Sequence, residues 1–263
     1  MFSTPVREYM SDGLVAVRPD TPLPDVLRTL RERDISAVAV VDPSGEAVGC
    51  VSLTDLLRSA RITLPAPGAR PHVIAPDQHA RDVMRSPVIA LDETDSIRDA
   101  AKLMLDEHIH RVFVRRGGRV VAASSTRDLM RAVLFHRIDA PVKTVMSTPV
   151  ESISVGDSID EALERLTQAN LRGLVVVDGT MPVGVFTQTE AIYARALPRE
   201  LRSGAVEQVM SYETICFDAA TPLYRVAGSV IAMKCRRVFV VEHRALVGIV
   251  TGYDLARVIT ELD

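Results

Sequence analysis

Gly248-Ile-Val-Thr-Gly-Tyr-Asp254 is the stretch whose reading decides the fold. Val247 to Val250 is an apolar run of strand length, and it stops at Thr251. Asp254 then opens Leu255-Ala-Arg-Val258-Ile259, whose apolar spacing is helical. A strand thus hands a hydroxyl and a carboxylate to the start of a helix. Taken alone, this is a capping box. The hydroxyl and the acid three residues on bond the free amides of the first turn, worth about 1 kcal/mol.

The arrangement recurs upstream as Ser52…Asp55, Ser125…Asp128 and Thr187…Glu190. Each copy is preceded by a short lead ending in Met: Arg7-Glu-Tyr-Met10, Arg81-Asp-Val-Met84, Lys143-Thr-Val-Met146 and Glu207-Gln-Val-Met210. The acid follows the Met by 45 residues in the first unit and by 44 in each of the others, so the chain is a fourfold repeat.

Inside each unit the order is constant. A short β-rich run comes first: Leu14–Val17, Val88–Leu91, Val150–Ile153 or Thr214–Phe217. A helix start follows, at Thr21-Pro22, Asp95-Ser96, Asp157-Ser158 and Thr221-Pro222. Ile97, Ala100, Ala101 and Met104 then share one helical face, as do Ile159, Ala162, Leu163 and Leu166. Two strands joined by a tight turn come next, with Asp42-Pro-Ser-Gly45, Gly117-Gly118 and Asp178-Gly179 as turn chemistry. A last helix closes the unit. The pattern predicts a mixed α/β fold of four β-α-β-β-α repeats. A unit of this size cannot cover its own sheet and helices, so the units should pair. The long join from Ala60 to Ala80, with Pro65, Pro67, Pro71 and Pro76, reads as a surface crossing or semi-rigid spacer, with His72 and His79 as solvated loop residues.

Composition excludes several classes. Net charge is −3, so no general basic field draws the chain to nucleic acid or anionic lipid. Trp is absent and aromatics are 4%, a poor basis for base stacking. No apolar run approaches the ~20 residues that span a bilayer, and the first residues do not read as a signal peptide. Cys50, Cys216 and Cys235 form no CxxC pair, and they read as small core residues in a reducing, cytoplasmic compartment.

The Met leads, the element order and the closing Gly-apolar-apolar-Ser/Thr-x-x-Asp together resemble the cystathionine-beta-synthase (CBS) domain. The resemblance covers residues 5–60, 80–135, 141–197 and 205–260. It implies two intramolecular pairs of repeats in a disc-like body, similar to the regulatory gamma subunit of AMP-activated protein kinase. It also implies clefts between paired repeats that bind adenosine-containing ligands. By that resemblance the closing acid meets ribose hydroxyls and the Ser/Thr lies near phosphate, which suits the positive end of a helix. The candidate site residues are therefore Thr251 and Asp254, Ser125 and Asp128, and Ser52 and Asp55, with Thr187 and Glu190 weaker. Glu190 caps a helix well, but it is one methylene longer than the family's Asp. Unit two carries Ala122 where the others have Gly.

Just before the second strand stand His110-Arg111 and Arg236-Arg237, the cations expected to reach phosphates. Unit three offers Arg172-Gly173 and unit one the uncharged Ser36-Ala37. Cation and acid together rank the clefts four, two, one, three. Family position puts the adenine slot around Val88-Ile89 and Thr214-Ile215.

The function expected is a non-catalytic sensor with an adenine nucleotide as regulatory ligand, no required cofactor and an unidentified protein target. S-adenosylmethionine or NAD is the alternative ligand, and a ligand-free interaction scaffold the alternative role. No nucleotide-binding glycine loop, nucleophile elbow or metal spacing suggests an enzyme. His108 and His110 lack a third metal ligand in register. A homodimer is compatible with the family, although two internal pairs can already cover each other's faces.

Overall fold

The computed structural model describes residues 1–11, 13–64, 66–69, 72–169 and 171–262. The first repeat is β1 (Ala16–Val17), α1 (Leu23–Glu32), β2 (Ala37–Val41), β3 (Ala47–Ser52) and α2 (Leu53–Ser59). A hairpin, β4 (Arg61–Thr63) and β5 (His72–Ile74), and a short α3 (Ala80–Val83) follow. The second repeat is β6 (Ala90–Asp92), α4 (Ile97–Asp106), β7 (Arg111–Arg116), β8 (Arg119–Ser125) and α5 (Thr126–Phe135). The third is β9 (Ser152–Ser154), α6 (Ile159–Gln168), β10 (Gly173–Asp178), β11 (Met181–Thr187) and α7 (Gln188–Arg195). The fourth is β12 (Cys216–Asp218), α8 (Leu223–Met233), β13 (Arg237–Glu242), β14 (Ala245–Thr251) and α9 (Gly252–Glu261). This is the expected mixed α/β class with the expected order in every repeat.

Each repeat is a three-stranded sheet in which the first strand runs parallel to the second and the last two form an antiparallel hairpin. The first strands are shorter than the apolar runs suggested. A single bond extends each by one residue: Ala39 N donates to Val15 O, Phe113 N to Ile89 O, Val175 N to Glu151 O and Phe239 N to Ile215 O. The predicted helical faces are buried, Ile97, Ala100, Ala101 and Met104 in α4 and Ile159, Ala162, Leu163 and Leu166 in α6. Each fully buried Ile or Leu contributes about 1.5–3 kcal/mol of apolar burial.

Sheets pair repeat one with two and three with four. Ala39, Val88, Phe113 and Val120 form one apolar seam, and Val175, Val185 and Phe239 the other. Helices join the pairs: α4 and α5 pack against α8 and α9 in one continuous core.

The leads are exchanged between partners, which explains why the Met belongs to the motif. The lead of repeat one packs on repeat two, where Ile97 N donates to Thr4 O and Val6 N to Asp95 O. The other leads do the same: Leu23 N donates to Gln78 O, Leu223 N to Ala140 O, and Ile159 N to Gly204 O. The first amide of each repeat's first helix is thus satisfied by its partner. Pro22 and Pro222 accordingly stand at the N-cap itself, without a side-chain cap.

The exchange also seats Met84, Met146 and Met210 on their partners' closing glycines. A Cβ on Gly248 would lie 2.7 Å from Met146 Cγ, and one on Gly49 would lie 2.9 Å from the Arg85 carbonyl and against Met84. Gly184 meets Met210 and the Ser211 carbonyl in the same way. Backbone bonds then tie lead to strand in both directions: Cys50 with Arg85, Ile249 with Ser147 and Val185 with Ser211. Where Ala122 replaces glycine, Ser11 N still donates to Ala123 O, but the return bond from Ala123 N goes to the Ser11 hydroxyl.

The join between repeats one and two is no bare spacer. Ile62 and Val73 pair across β4 and β5, and Leu64 enters the core of repeat three while Val73 and Ala75 pack on repeat one. Alternating apolar residues on both sides of the proline-rich centre make this hairpin. His72 lies in β5 and His79 at the N-cap of α3, where its amide donates to Asp82 Oδ2 at 2.7 Å. Pro65 and Pro71 lie outside the described residues. Of the cysteines expected in the core, Cys235 is buried, Cys50 half-buried and Cys216 exposed. No helix among the described residues is long and apolar enough to cross a membrane.

Candidate functional site

All four closing motifs are capping boxes, each placing its acid at the start of the closing helix. Asp254 Oδ2 accepts from Thr251 N and Thr251 Oγ1, both at 2.7 Å. Asp128 Oδ2 accepts from Ser125 N at 2.7 Å and Ser125 Oγ at 2.9 Å. Asp55 Oδ2 takes Ser52 N at 3.0 Å and Ser52 Oγ at 2.5 Å. Glu190 Oε2 takes Thr187 N at 2.9 Å and the Thr187 hydroxyl. The extra methylene of Glu190 leaves the cap intact.

The cap uses one carboxylate oxygen, and the other differs between repeats. Asp254 Oδ1 accepts from Ser147 Oγ at 2.7 Å and from Arg257. Asp128 Oδ1 accepts from Arg131 Nη1 at 3.0 Å. Asp55 Oδ1 accepts from Arg85 Nε at 3.1 Å and Nη2 at 3.0 Å. Asp128 and Asp254 are the buried acids, 6% and 2% exposed. Burial raises the pKa of Asp128, opposed by its bonds to Ser125 and by the charges of Arg131 and Arg111.

The two buried acids open helices whose starts adjoin. A Cβ on Gly252 would lie 2.5 Å from Thr126 Cβ, so only glycine lets α9 approach α5 this closely. The side chain beside Gly252, Tyr253, extends toward the other repeats. Its ring centroid is 4.3 Å from that of His110, and the Arg172 guanidinium lies 5.1 Å above it. Repeats two, three and four therefore meet at one aromatic ring. Among the described residues the buried Tyr253 hydroxyl has no hydrogen-bond partner.

His110, Arg172, Arg236 and Arg237 form one electrostatic group. The pKa of His110 is pushed down from 6.5 to about 4, first by burial and then by the charges of Arg172, Arg236 and Arg237. Arg237 is lowered by burial, with the neighbouring Glu190 charge acting against the shift. Arg111 stands apart. It crosses to repeat one, where its Nη1 donates to Ala37 O at 2.5 Å. Its Nε is buried without a partner among the described residues. Across the centre, Lys234 pairs with Asp34 at 2.7 Å, linking repeat four to repeat one.

Of the residues placed in the adenine slot, Val88 is buried in the seam between sheets, and Ile89 and Ile215 give their carbonyls to the adjacent strand. The Thr214 hydroxyl donates to Tyr212 O at 3.3 Å. Among the described residues no three of His, Cys, Asp and Glu group as metal ligands.

The CBS domain model matches residues 6–61, 80–135, 142–197 and 206–261. This chain belongs to the CBS domain family. It is 26% identical over 281 residues to the uncharacterized protein MJ1404 of Methanocaldococcus jannaschii, matching 100% of this chain and 63% of that one. It is 29% identical over 159 residues to the A-adding tRNA nucleotidyltransferase of Geobacter sulfurreducens, matching 57% of this chain and only 18% of that enzyme. The chain thus spans less than two thirds of these relatives. Among solved structures it is similar to that of protein MJ1225 from M. jannaschii, offered as an archaeal homologue of gamma-AMPK. The TM-score is 0.75 at 18% identity, covering 97% of this chain and 99% of that one. The four-repeat CBS fold is therefore shared along the full length.

The sequence pointed to the acids and to most of the cations. It missed the partners of the acids' second oxygens, Ser147, Arg257, Arg131 and Arg85, and it missed Tyr253. A signal for Ser147 and Arg85 was present, since each directly follows a lead Met.

Proposed function

We propose that this chain is a non-catalytic cytoplasmic regulator that binds an adenine nucleotide in the clefts of repeats four and two. One observation carries the reading: at the start of α9, the buried Asp254 stands beside a tyrosine whose buried hydroxyl is unmatched among the described residues, and His110 and Arg172 from two other repeats contact that ring. Asp254 would accept the ribose hydroxyls by exchanging Ser147 and Arg257 on Oδ1. Arg172, Arg236 and Arg237 would face the phosphates, where guanidinium forks suit the oxygens. These groups come from three repeats, so occupancy would shift how the repeats pack, to the extent that the ligand favours one arrangement.

A ligand-free scaffold is the second reading. It is favoured by the fact that the second oxygens of Asp55, Asp128 and Asp254 already have partners within the chain. Thermal unfolding with AMP, ADP, ATP, S-adenosylmethionine and NAD separates the two. A bound ligand at 100 times its Kd stabilises by about 2.7 kcal/mol, and no shift with any of them supports the scaffold.

His110 supplies a second test. Burial is the larger cause of the low His110 pKa, but phosphate charge placed among the arginines offsets their share of it, so the pKa rises on binding and a proton is taken up. Binding should then tighten as pH falls from that raised pKa toward the free-state value of about 4, and His110→Gln should flatten that dependence. Wild type and variant with identical pH profiles would remove His110 from the site.

A further inference from the structure

The residue after the lead Met is Ser11, Ser147 and Ser211 in repeats one, three and four but Arg85 in repeat two. Because leads are exchanged, this position stands beside the partner's closing motif. Ser147 donates a neutral hydroxyl to Asp254 Oδ1 at 2.7 Å, an oxygen that Arg257 of the same helix also bonds. Arg85 puts two N–H groups on the equivalent oxygen of Asp55, at 3.1 and 3.0 Å. With Ser52 N and Oγ on Oδ2, both oxygens of Asp55 are engaged. The Asp55 side chain is 10% exposed and that of Arg85 64%, so the guanidinium covers the acid on its solvent side. The strand start of repeat one has no cation of its own, and there Arg111 bonds Ala37 O at 2.5 Å and approaches Ser36 Oγ at 3.5 Å.

The two places that correspond to ribose and phosphate groups in repeat four are thus held by guanidinium groups of repeat two. We propose that Arg85 closes the first cleft and so determines which repeats accept an adenosine ligand: Asp55 is withheld while Asp254 remains available. This rests on the nucleotide reading above. A ribose reaching Asp55 would have to displace two charge-assisted bonds from a guanidinium on the partner's lead, whereas at Asp254 the lead supplies only a neutral hydroxyl and the arginine on Oδ1, Arg257, belongs to α9 itself. The first cleft is then a structural joint between repeats one and two.

The test is a count of AMP molecules bound per chain, by equilibrium dialysis and native mass spectrometry. The proteins are wild type, Arg85→Ser, Arg85→Gln, Asp55→Asn and Arg85→Ser/Asp55→Asn. Arg85→Ser should add one site, through a gain of about tenfold or more in affinity at the first cleft. Arg85→Gln should do the same more weakly, and it covers the case in which the serine variant fails to fold. Asp55→Asn alone should leave the wild-type count unchanged, and the double variant should lose the added site. An unchanged count in both Arg85 variants, or a site lost from wild type by Asp55→Asn, overturns the closure while leaving the nucleotide reading standing. If wild type binds no AMP but Arg85→Ser binds one, closure stands and the reading of clefts four and two falls. If none of these proteins binds AMP, both fall.

Discussion

Asp254→Ala should lower the unfolding free energy by about 2–3 kcal/mol and weaken an adenine nucleotide about 30- to 1,000-fold. The stability loss has two sources. The capping box of α9 loses its acid, worth about 1 kcal/mol. Thr251 N and the Ser147 hydroxyl then lose their bonds to a carboxylate that is 2% exposed, and an unmatched buried donor costs about 1–3 kcal/mol. For a chain of this size the melting point should fall by roughly 2–4 °C for each kcal/mol. The binding loss is separate. An ionised acceptor shared by two ribose hydroxyls is worth about 2–4 kcal/mol, and each 1.4 kcal/mol is tenfold in Kd. Asp254→Asn divides the two effects. An amide oxygen can still accept from Thr251 N, so this variant should lose about 1 kcal/mol of stability while still binding nucleotide weakly. Calorimetric titration with thermal unfolding checks both. Wild-type affinity in both variants would mean that Asp254 only caps α9.

Gly248→Ala should destabilise by about 1–3 kcal/mol, the usual cost of overpacking a filled core. The added Cβ would lie 2.7 Å from Cγ and 3.0 Å from Cβ of Met146, both near the backbone end of that side chain. All three nearest atoms belong to Met146, so the fault is one of side-chain packing. Combining it with Met146→Ala should therefore give a double variant more stable than the sum of the two losses by about 0.5 kcal/mol or more. Gly184→Ala should not be rescued so far by Met210→Ala, because the Ser211 carbonyl stands 2.9 Å from the added atom. Urea unfolding of the two cycles measures the contrast. Strict additivity at Gly248 and Met146 would mean that the lead and the closing glycine are not coupled.

The fold was largely legible because its marks repeat. A single Ser/Thr-x-x-acid is a helix cap and nothing more. Four copies at near-constant distance from a Met gave the unit, its element order and the faces of α4 and α6. What repetition could not give was the exchange of leads, since a sequence pattern does not say which repeat a Met packs on. For the same reason the first-helix starts were misjudged in repeats one and four: Pro22 and Pro222 stand at the N-cap, where the partner's lead supplies the carbonyl. The β4–β5 hairpin was hidden by its prolines, although Ile62, Leu64, Val73 and Ala75 alternate around them.

At the site, sequence chemistry named the acids and the cations but not their geometry. Arg111 and Arg237 hold equivalent positions, yet Arg111 turns to Ala37 while Arg237 lies near Glu190. Ser124 shows the limit of the repeat argument in the core. Val51, Phe186 and Val250 occupy its position in the other repeats, but here a fully buried hydroxyl stands without a partner among the described residues. We have no physical account of that choice. Tyr253 was passed over because it lies between two residues of the motif. Only the fold shows that its ring joins three repeats.

The most direct test of the nucleotide reading is the mass of the small molecules released when the purified protein is denatured, before and after incubation with AMP, ADP and ATP. The account predicts an adenine nucleotide retained by the wild type through gel filtration, and much less retained by Asp254→Asn. Release of no adenosine-containing molecule under either condition would contradict it.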